Sequence, residues 1–178
     1  MDDDDGDIYR FQDLLDPAER EILGRVRDFM RTEVAPMIDG FWVDAEFPHH
    51  LVGPLAATGL ANLVCSDRPG PTASSLLKGF VAAEMARVDP SFATFYGAHA
   101  GLAMASIARC GSPEQRRRWL PAMGRLDLVG AFALTEPEGG SDVAGGMRTV
   151  ARRDRDGWVL DGAKRWIGNA TFADVVVV

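Results

Sequence analysis

The sequence predicts an α+β protein, with an all-α helical bundle domain followed by an incomplete β-barrel or sandwich domain. Three observations point there. Apolar residues recur with helical spacing behind proline-containing caps over the first two-thirds of the chain. The pattern then changes to short apolar runs separated by Asp-Gly turns, and the sequence closes on a run of valines. These changes divide the 178 residues into an acidic flexible tail (1–15), a helical domain (16–126) and the first part of a β domain (127–178).

Asp16-Pro17-Ala18-Glu19 has the form of a helix start: Asp16 accepts from free amides, Pro17 suits the first turn, and Glu19 reaches back to the cap. Behind it Ile22, Leu23, Val26, Phe29, Met30 and Val34 lie on one helical face, ending before Pro36. A short helix carries Phe41 and Trp42, and another, after Pro48, carries Leu51, Leu55 and Leu60 with a break at Gly59. Arg68-Pro69-Gly70-Pro71 is a loop by composition. Leu76, Leu77, Phe80, Val81 and Met85 resume a helical stripe up to Asp89-Pro90, which caps the next helix. That helix bears Phe92, Phe95, Leu102 and Ile107 with Gly97, Ala98, Ala100, Gly101, Ala103 and Ala105 between them, small residues that allow another helix or a ligand tail to come close. Gly111 is expected to end it in a left-handed conformation, and Ser112-Pro113-Glu114-Gln115 opens a further helix with a capping box.

Composition removes several function classes. Apolar residues at 47% and charged residues at 25% are ordinary for a globular chain. The net charge of −7 includes four charges from Asp2 to Asp5, and there is no basic stripe of the kind nucleic acid requires. Arg116, Arg117 and Arg118 point in different directions on a helix and read as a solvated face. No apolar run approaches the ~18 residues of a membrane span, and the N-terminus lacks a secretory pattern, so a cytoplasmic location is expected. Cys65 and Cys110 read as buried free thiols, and His49, His50 and His99 lack metal-ligand spacing.

From Leu128 to Leu134 the apolar run suits a buried strand. Residues 149–153 are expected to pair with 158–160 across a turn ending in Asp156-Gly157, a dipeptide tolerant of positive φ. Asp161-Gly162 supplies a second turn before a strand over 164–167, and residues 173–178 form a last strand. Finishing on an apolar strand would expose backbone edges, so the chain is expected to be a portion of a longer protein or one half of a split one.

Gly130-Ala131-Phe132-Ala133-Leu134-Thr135-Glu136-Pro137-Glu138-Gly139-Gly140-Ser141-Asp142 resembles the flavin-binding signature of the acyl-CoA dehydrogenase family. Asp161-Gly162-Ala163-Lys164-Arg165-Trp166-Ile167-Gly168-Asn169-Ala170, with Phe172-Ala173-Asp174 beyond, is similar to a second segment of that family, and Ser112 to Gln115 with Trp119-Leu120-Pro121 resembles the helix leading into its β domain. The resemblance implies FAD as cofactor. It implies that Phe132, Ala133, Leu134, Thr135, Gly139, Gly140 and Ser141 wrap the isoalloxazine and pyrophosphate, with Thr135 bonding the ring edge and Ser141 also near bound acyl-CoA. Trp166, Ile167 and Gly168 would supply the other wall, with Trp166 stacking on the ring. Gly168 departs from the Thr usual there, so a backbone amide is expected to substitute; the Lys-Arg-Trp-Ile-Gly-Asn form is similar to that of certain acyl-CoA oxidases and glutaryl-CoA dehydrogenase-like members.

The implied reaction is α,β-desaturation of an acyl-CoA or acyl-carrier thioester, in which a carboxylate removes the α proton while hydride leaves the β carbon. That carboxylate belongs to a C-terminal helical domain in the family, so no catalytic residue is assigned here, and Glu136 and Glu138 belong to the flavin loop. Expected partners are a complementary C-terminal polypeptide or further copies of the chain, with an electron-transfer flavoprotein or oxygen as acceptor. Without that domain or a partner the chain is expected to be inactive; the alternative is a noncatalytic scaffold or interaction subunit of the same ancestry, or an acyl-CoA oxidase using oxygen.

Overall fold

A computed structural model describes residues 7–64 and 73–178. Local chemistry sets the helix starts. In α1 (Pro17–Phe29), Asp16 accepts from the Glu19 amide at 2.8 Å and Glu19 accepts from the Asp16 amide at 3.4 Å, completing the expected box. Leu23, Val26 and Phe29 face the core, and the helix continues as a wider π-helical segment, Met30–Val34. Next come α2 (Ile38–Asp44), a 3-10 turn (His49–Leu51), α3 (Val52–Ala57) and, past the left-handed Gly59, a 3-10 segment (Leu60–Val64). Ser74 caps α4 (Ser75–Val88), and Asp89 caps α5 (Pro90–Tyr96) through the Ser91 and Phe92 amides. A π-helical segment (Gly97–Met104) carries α5 without a break into α6 (Ala105–Cys110), making residues 90–110 one rod. The last helix, α7 (Pro113–Gly124), opens with the predicted Ser112–Gln115 box.

The helices share one apolar core, in which α4 packs on α1 and on α5. Glu84, nearly buried on α4, meets Arg27 of α1 at 2.6 Å and Arg87 at 3.3 Å, so this carboxylate at the seam is paired twice. Phe47 lies among Phe92, Phe95 and Phe172 with ring centroids 5.0–5.8 Å apart. Phe172 belongs to the last third of the chain, and its insertion between Phe47 and Phe95 ties that part to the helices.

Strand β1 (Gly130–Phe132) runs parallel to β4 (Val175–Val177), with Gly130 opposite Val175, while β2 (Val150–Asp154) and β3 (Gly157–Asp161) form an antiparallel hairpin. The predicted α+β order, helices first and a partial sheet after, is the one observed. Where β1 meets the rod a side chain would not fit: a Cβ on Gly130 would lie 2.7 Å from the Ala103 methyl and 2.6 Å from Met123. Its amide instead donates to His99 Nδ1 at 2.9 Å, and His99 Nε2 donates to the Met123 carbonyl at 3.0 Å. One nitrogen accepting and the other donating defines a neutral imidazole.

Several expectations are corrected. Gly111 is extended (φ −68, ψ 150), because the chain passes directly into the Ser112 cap. The hairpin's central residues are Arg155 and Asp156, and the positive φ falls on Arg155, with Gly157 already in the ladder. Residues 164–167 are not a strand; their hydrogen bonds go to separate parts of the fold. Cys110 is exposed at the end of α6, whereas Cys65 and the loop at 68–71 lie outside the described residues. Within the expected tail, the Asp7 carboxylate accepts from the Phe11 and Gln12 amides, Phe11–Leu14 forms a 3-10 turn and Leu15 is buried, so residues 7–15 fold onto α1.

Burial holds the His99 imidazole below its ordinary pKa, so unfolding lets it take up a proton near pH 6.5. The unfolded state then binds more protons, and stability is full above that pH and falls as the pH drops through it. Thermal melts are expected to show a lower Tm at pH 5.5 than at pH 7.5, with that difference reduced in His99→Gln; an equal pH dependence in the variant would remove His99 as its cause.

Candidate functional site

A groove of about 580 Å³ runs between the rod of residues 90–110 and the segments that follow β1 and precede β4. Thr94, Gly97, Ala98, Gly101 and Leu102 form its helical wall; Phe132, Leu134, Thr135, Trp166, Ile167 and Gly168 form the other. Part of the helical wall is the π-helical segment, a wider winding that often accompanies functional sites.

The second wall is built by strand alternation. Ala131 and Ala133 turn inward and are buried, so Phe132 and Leu134 turn to the groove. Residues 164–169 are then fastened beside them at three points. The Lys164 ammonium donates to the Leu134 carbonyl at 2.9 Å and to Glu136 Oε1 at 3.0 Å. The Arg165 amide donates to the Thr135 carbonyl at 2.9 Å. Asn169 Nδ2 donates to the carbonyls of Phe95 and Gly130, both at 3.1 Å. Downstream, Asp174 accepts from the Val129 amide at 2.8 Å and fixes the start of β4. Between these ties Trp166 takes a left-handed φ of 60° and lies at the groove with 80% of the residue's surface exposed.

Glu136 is the electrostatic hub of this wall. Its carboxylate accepts from the Arg148 amide at 2.6 Å, the Thr149 amide at 2.8 Å and Lys164. The adjacent Thr149 hydroxyl, then these amides and the ammonium, hold its carboxyl at about 2. The hydroxyl oxygen itself has no well-formed hydrogen bond, so the amides and Lys164 are the contacts that fix the geometry. Gly140 lets the bend close over this hub, since a Cβ there would lie 3.0 Å from the Thr135 side chain.

Of the residues the sequence singles out, Phe132, Leu134, Thr135, Trp166, Ile167 and Gly168 line the groove together. Ala133 does not: its side chain is buried, and its amide donates to the Val177 carbonyl at 2.7 Å. Gly139, Gly140 and Ser141 lie in the neighbouring bend, outside the groove lining, with Gly139 bridged to Glu136. Thr94 and Leu102 also line the groove and are not among the site residues the sequence singles out; the run of small residues between Phe95 and Ile107 is a signal for Leu102 and none for Thr94. A smaller apolar cavity of about 180 Å³, bordered by Leu77, Val81 and Tyr96, shares Gly97 and Gly101 with the groove. Among the described residues no group of three or more His, Cys, Asp or Glu is arranged to hold a metal, and no helix is long and apolar enough to cross a membrane.

Comparison with known proteins gives a consistent result. The family described as "Acyl-CoA dehydrogenase, N-terminal domain" matches residues 16–127, and "Acyl-CoA dehydrogenase, middle domain" matches residues 131–178. A glutaryl-CoA dehydrogenase from Mycobacterium smegmatis, solved in complex with FADH2, is 36% identical with a TM-score of 0.83, covering 96% of this chain and 44% of that one. Butyryl-CoA dehydrogenase from Megasphaera elsdenii is 25% identical with a TM-score of 0.83, covering 92% of this chain and 44% of that one. In sequence, the short-chain specific acyl-CoA dehydrogenase of Bos taurus mitochondria is 32% identical over 173 residues, 96% of this chain and 41% of the relative. The chain thus spans about two-fifths of the length of such relatives. With both matches in order along nearly all of its length, the chain belongs to the acyl-CoA dehydrogenase family.

Proposed function

We propose that this chain supplies the flavin-stacking wall and one side of the acyl pocket of an FAD-dependent acyl-thioester α,β-desaturase. The observation that carries the reading is the meeting of Trp166, Thr135 and Phe132 on one groove opposite a helix wall of small residues. The groove fits a planar ring system: it is open, mostly apolar, and has an exposed indole at its edge and a threonine hydroxyl beside it. FAD, when bound, supplies the acceptor for the hydride leaving the substrate's β carbon.

The chain's own residues would bind and orient. The Trp166 indole stacks on the ring, the Thr135 hydroxyl bonds its edge, and the backbone amide at Gly168 offers a donor where no side chain intervenes. Gly139, Gly140 and Ser141 are assigned to the pyrophosphate, since a glycine-rich bend can present amides to an anion. Gly97 and Gly101 leave room between the groove and the apolar cavity behind, which suits the tail of an acyl group. The proton-removing base is assigned elsewhere in the full-length family architecture, to its C-terminal helical domain. Glu136 is unsuited to that role, because a carboxyl held at about 2 by amides and an ammonium does not take up a proton near neutrality. An acyl-CoA or carrier-bound thioester is the proposed substrate, with an electron-transfer flavoprotein or oxygen as acceptor and a complementary polypeptide or further copies completing the site.

FAD titrated into the protein is expected to quench part of the tryptophan emission saturably. Trp166→Ala should weaken binding about tenfold, as expected for loss of a stacked ring with its buried area. Equal FAD affinity in wild type and Trp166→Ala would overturn the reading. Lys164→Met removes charge-assisted hydrogen bonds that hold the two motif segments together, so amide exchange over residues 164–170 should accelerate about tenfold while the helical circular dichroism stays unchanged. Unaltered exchange there would show that Lys164 does not fasten the wall.

A further inference from the structure

We propose that Arg165 is a positioning residue that clamps the Trp166 indole and charges its far face, an inference that rests on the flavin reading of the groove. The Arg165 guanidinium carbon lies 4.5 Å from the centroid of the Trp166 ring. Among the described residues, no carboxylate lies within ion-pairing distance of this exposed guanidinium. Its cation therefore rests on the indole rather than on an acid.

Backbone geometry makes that contact available. In a strand, consecutive side chains point to opposite faces and Arg165 would turn away from Trp166. The left-handed torsion at Trp166 breaks this alternation, while the Arg165 amide remains anchored to the Thr135 carbonyl. The guanidinium can thus lie over the ring of the very next residue. A cation on an aromatic face is attracted to the ring's electron density, which restricts the indole's swing although most of its surface is exposed. One face is occupied by the guanidinium and the other is left for a flat ligand.

The charge has a second effect. A flavin gains negative charge on reduction, so a fixed cation behind the stacked indole favours the reduced ring over the oxidised one. Arg165 would then raise the reduction potential of the bound flavin without touching it. Lys keeps the charge on a long stem, and Gln removes the charge and the guanidinium while keeping a polar side chain.

The test compares wild type, Arg165→Gln and Arg165→Lys, with Trp166→Phe to isolate the emission of this indole. In the FAD-free protein, Arg165→Gln should make the Trp166 emission roughly twofold more accessible to acrylamide, with Arg165→Lys closer to wild type. In FAD-loaded protein, Arg165→Gln should bind reduced flavin less tightly relative to oxidised flavin by roughly threefold, read as a lowered midpoint potential, and Arg165→Lys should restore it. Unchanged acrylamide access in Arg165→Gln overturns the clamp. Unchanged midpoint potential in variants that still bind FAD overturns the electrostatic role. A wild type that takes up no FAD overturns the flavin reading instead, and the FAD-free measurement still decides the clamp.

Discussion

The geometry of the groove rests on a buried imidazole wedged where the last helix hands the chain to the sheet. His99 accepts from the Gly130 amide and donates to the Met123 carbonyl, so it fixes β1 against the helical rod by two hydrogen bonds that water cannot reach. Asn169 then bonds the Gly130 carbonyl, and Asp174 bonds the neighbouring Val129 amide. The backbone at 129–130 is thereby held from the helix on one side and from the last segment on the other. Phe172, inserted among Phe47 and Phe95, adds an apolar anchor to the same seam.

This arrangement separates two kinds of work within the motifs. Their polar members, Glu136, Lys164, Asn169 and Asp174, are engaged with backbone groups and with each other and form the frame. Apolar and small members, among them Phe132, Leu134, Gly168 and the exposed indole, face the open groove. Burying a carboxylate costs free energy unless it is hydrogen-bonded, which explains why two backbone amides and the Lys164 ammonium converge on Glu136. Rigid support behind the wall is what the proposed stacking role needs if a flat ring is to find the surface already formed.

Much of the fold was legible because it is local. The boxes at Asp16 and Glu19 and at Ser112 and Gln115 involve residues three apart, and Asp89 caps within three residues, so short spacing suffices to read them. The helical stripes named their own core: Leu23, Val26, Leu77, Val81 and Phe92 are all buried. Where the expectation failed, the deciding contacts were distant in sequence. Residues 164–167 have strand-like composition, but Lys164 and Arg165 bond Leu134, Glu136 and Thr135 individually, and no ladder forms. Glu136 reads as one loop acid among several until Lys164, which lies 28 positions away, is brought beside it. Within the site, the alternation of β1 accounts for both the groove-facing Phe132 and Leu134 and the inward Ala133.

The torsion at Trp166 carries a consequence for how this protein can change. A bulky residue in the left-handed region gives up about 1–3 kcal/mol that a glycine would recover, so the position is one where folding alone would prefer a different amino acid. Glycine there would relax the backbone and remove the aromatic surface from the groove. Backbone ease and an aromatic groove wall therefore pull in opposite directions at a single residue.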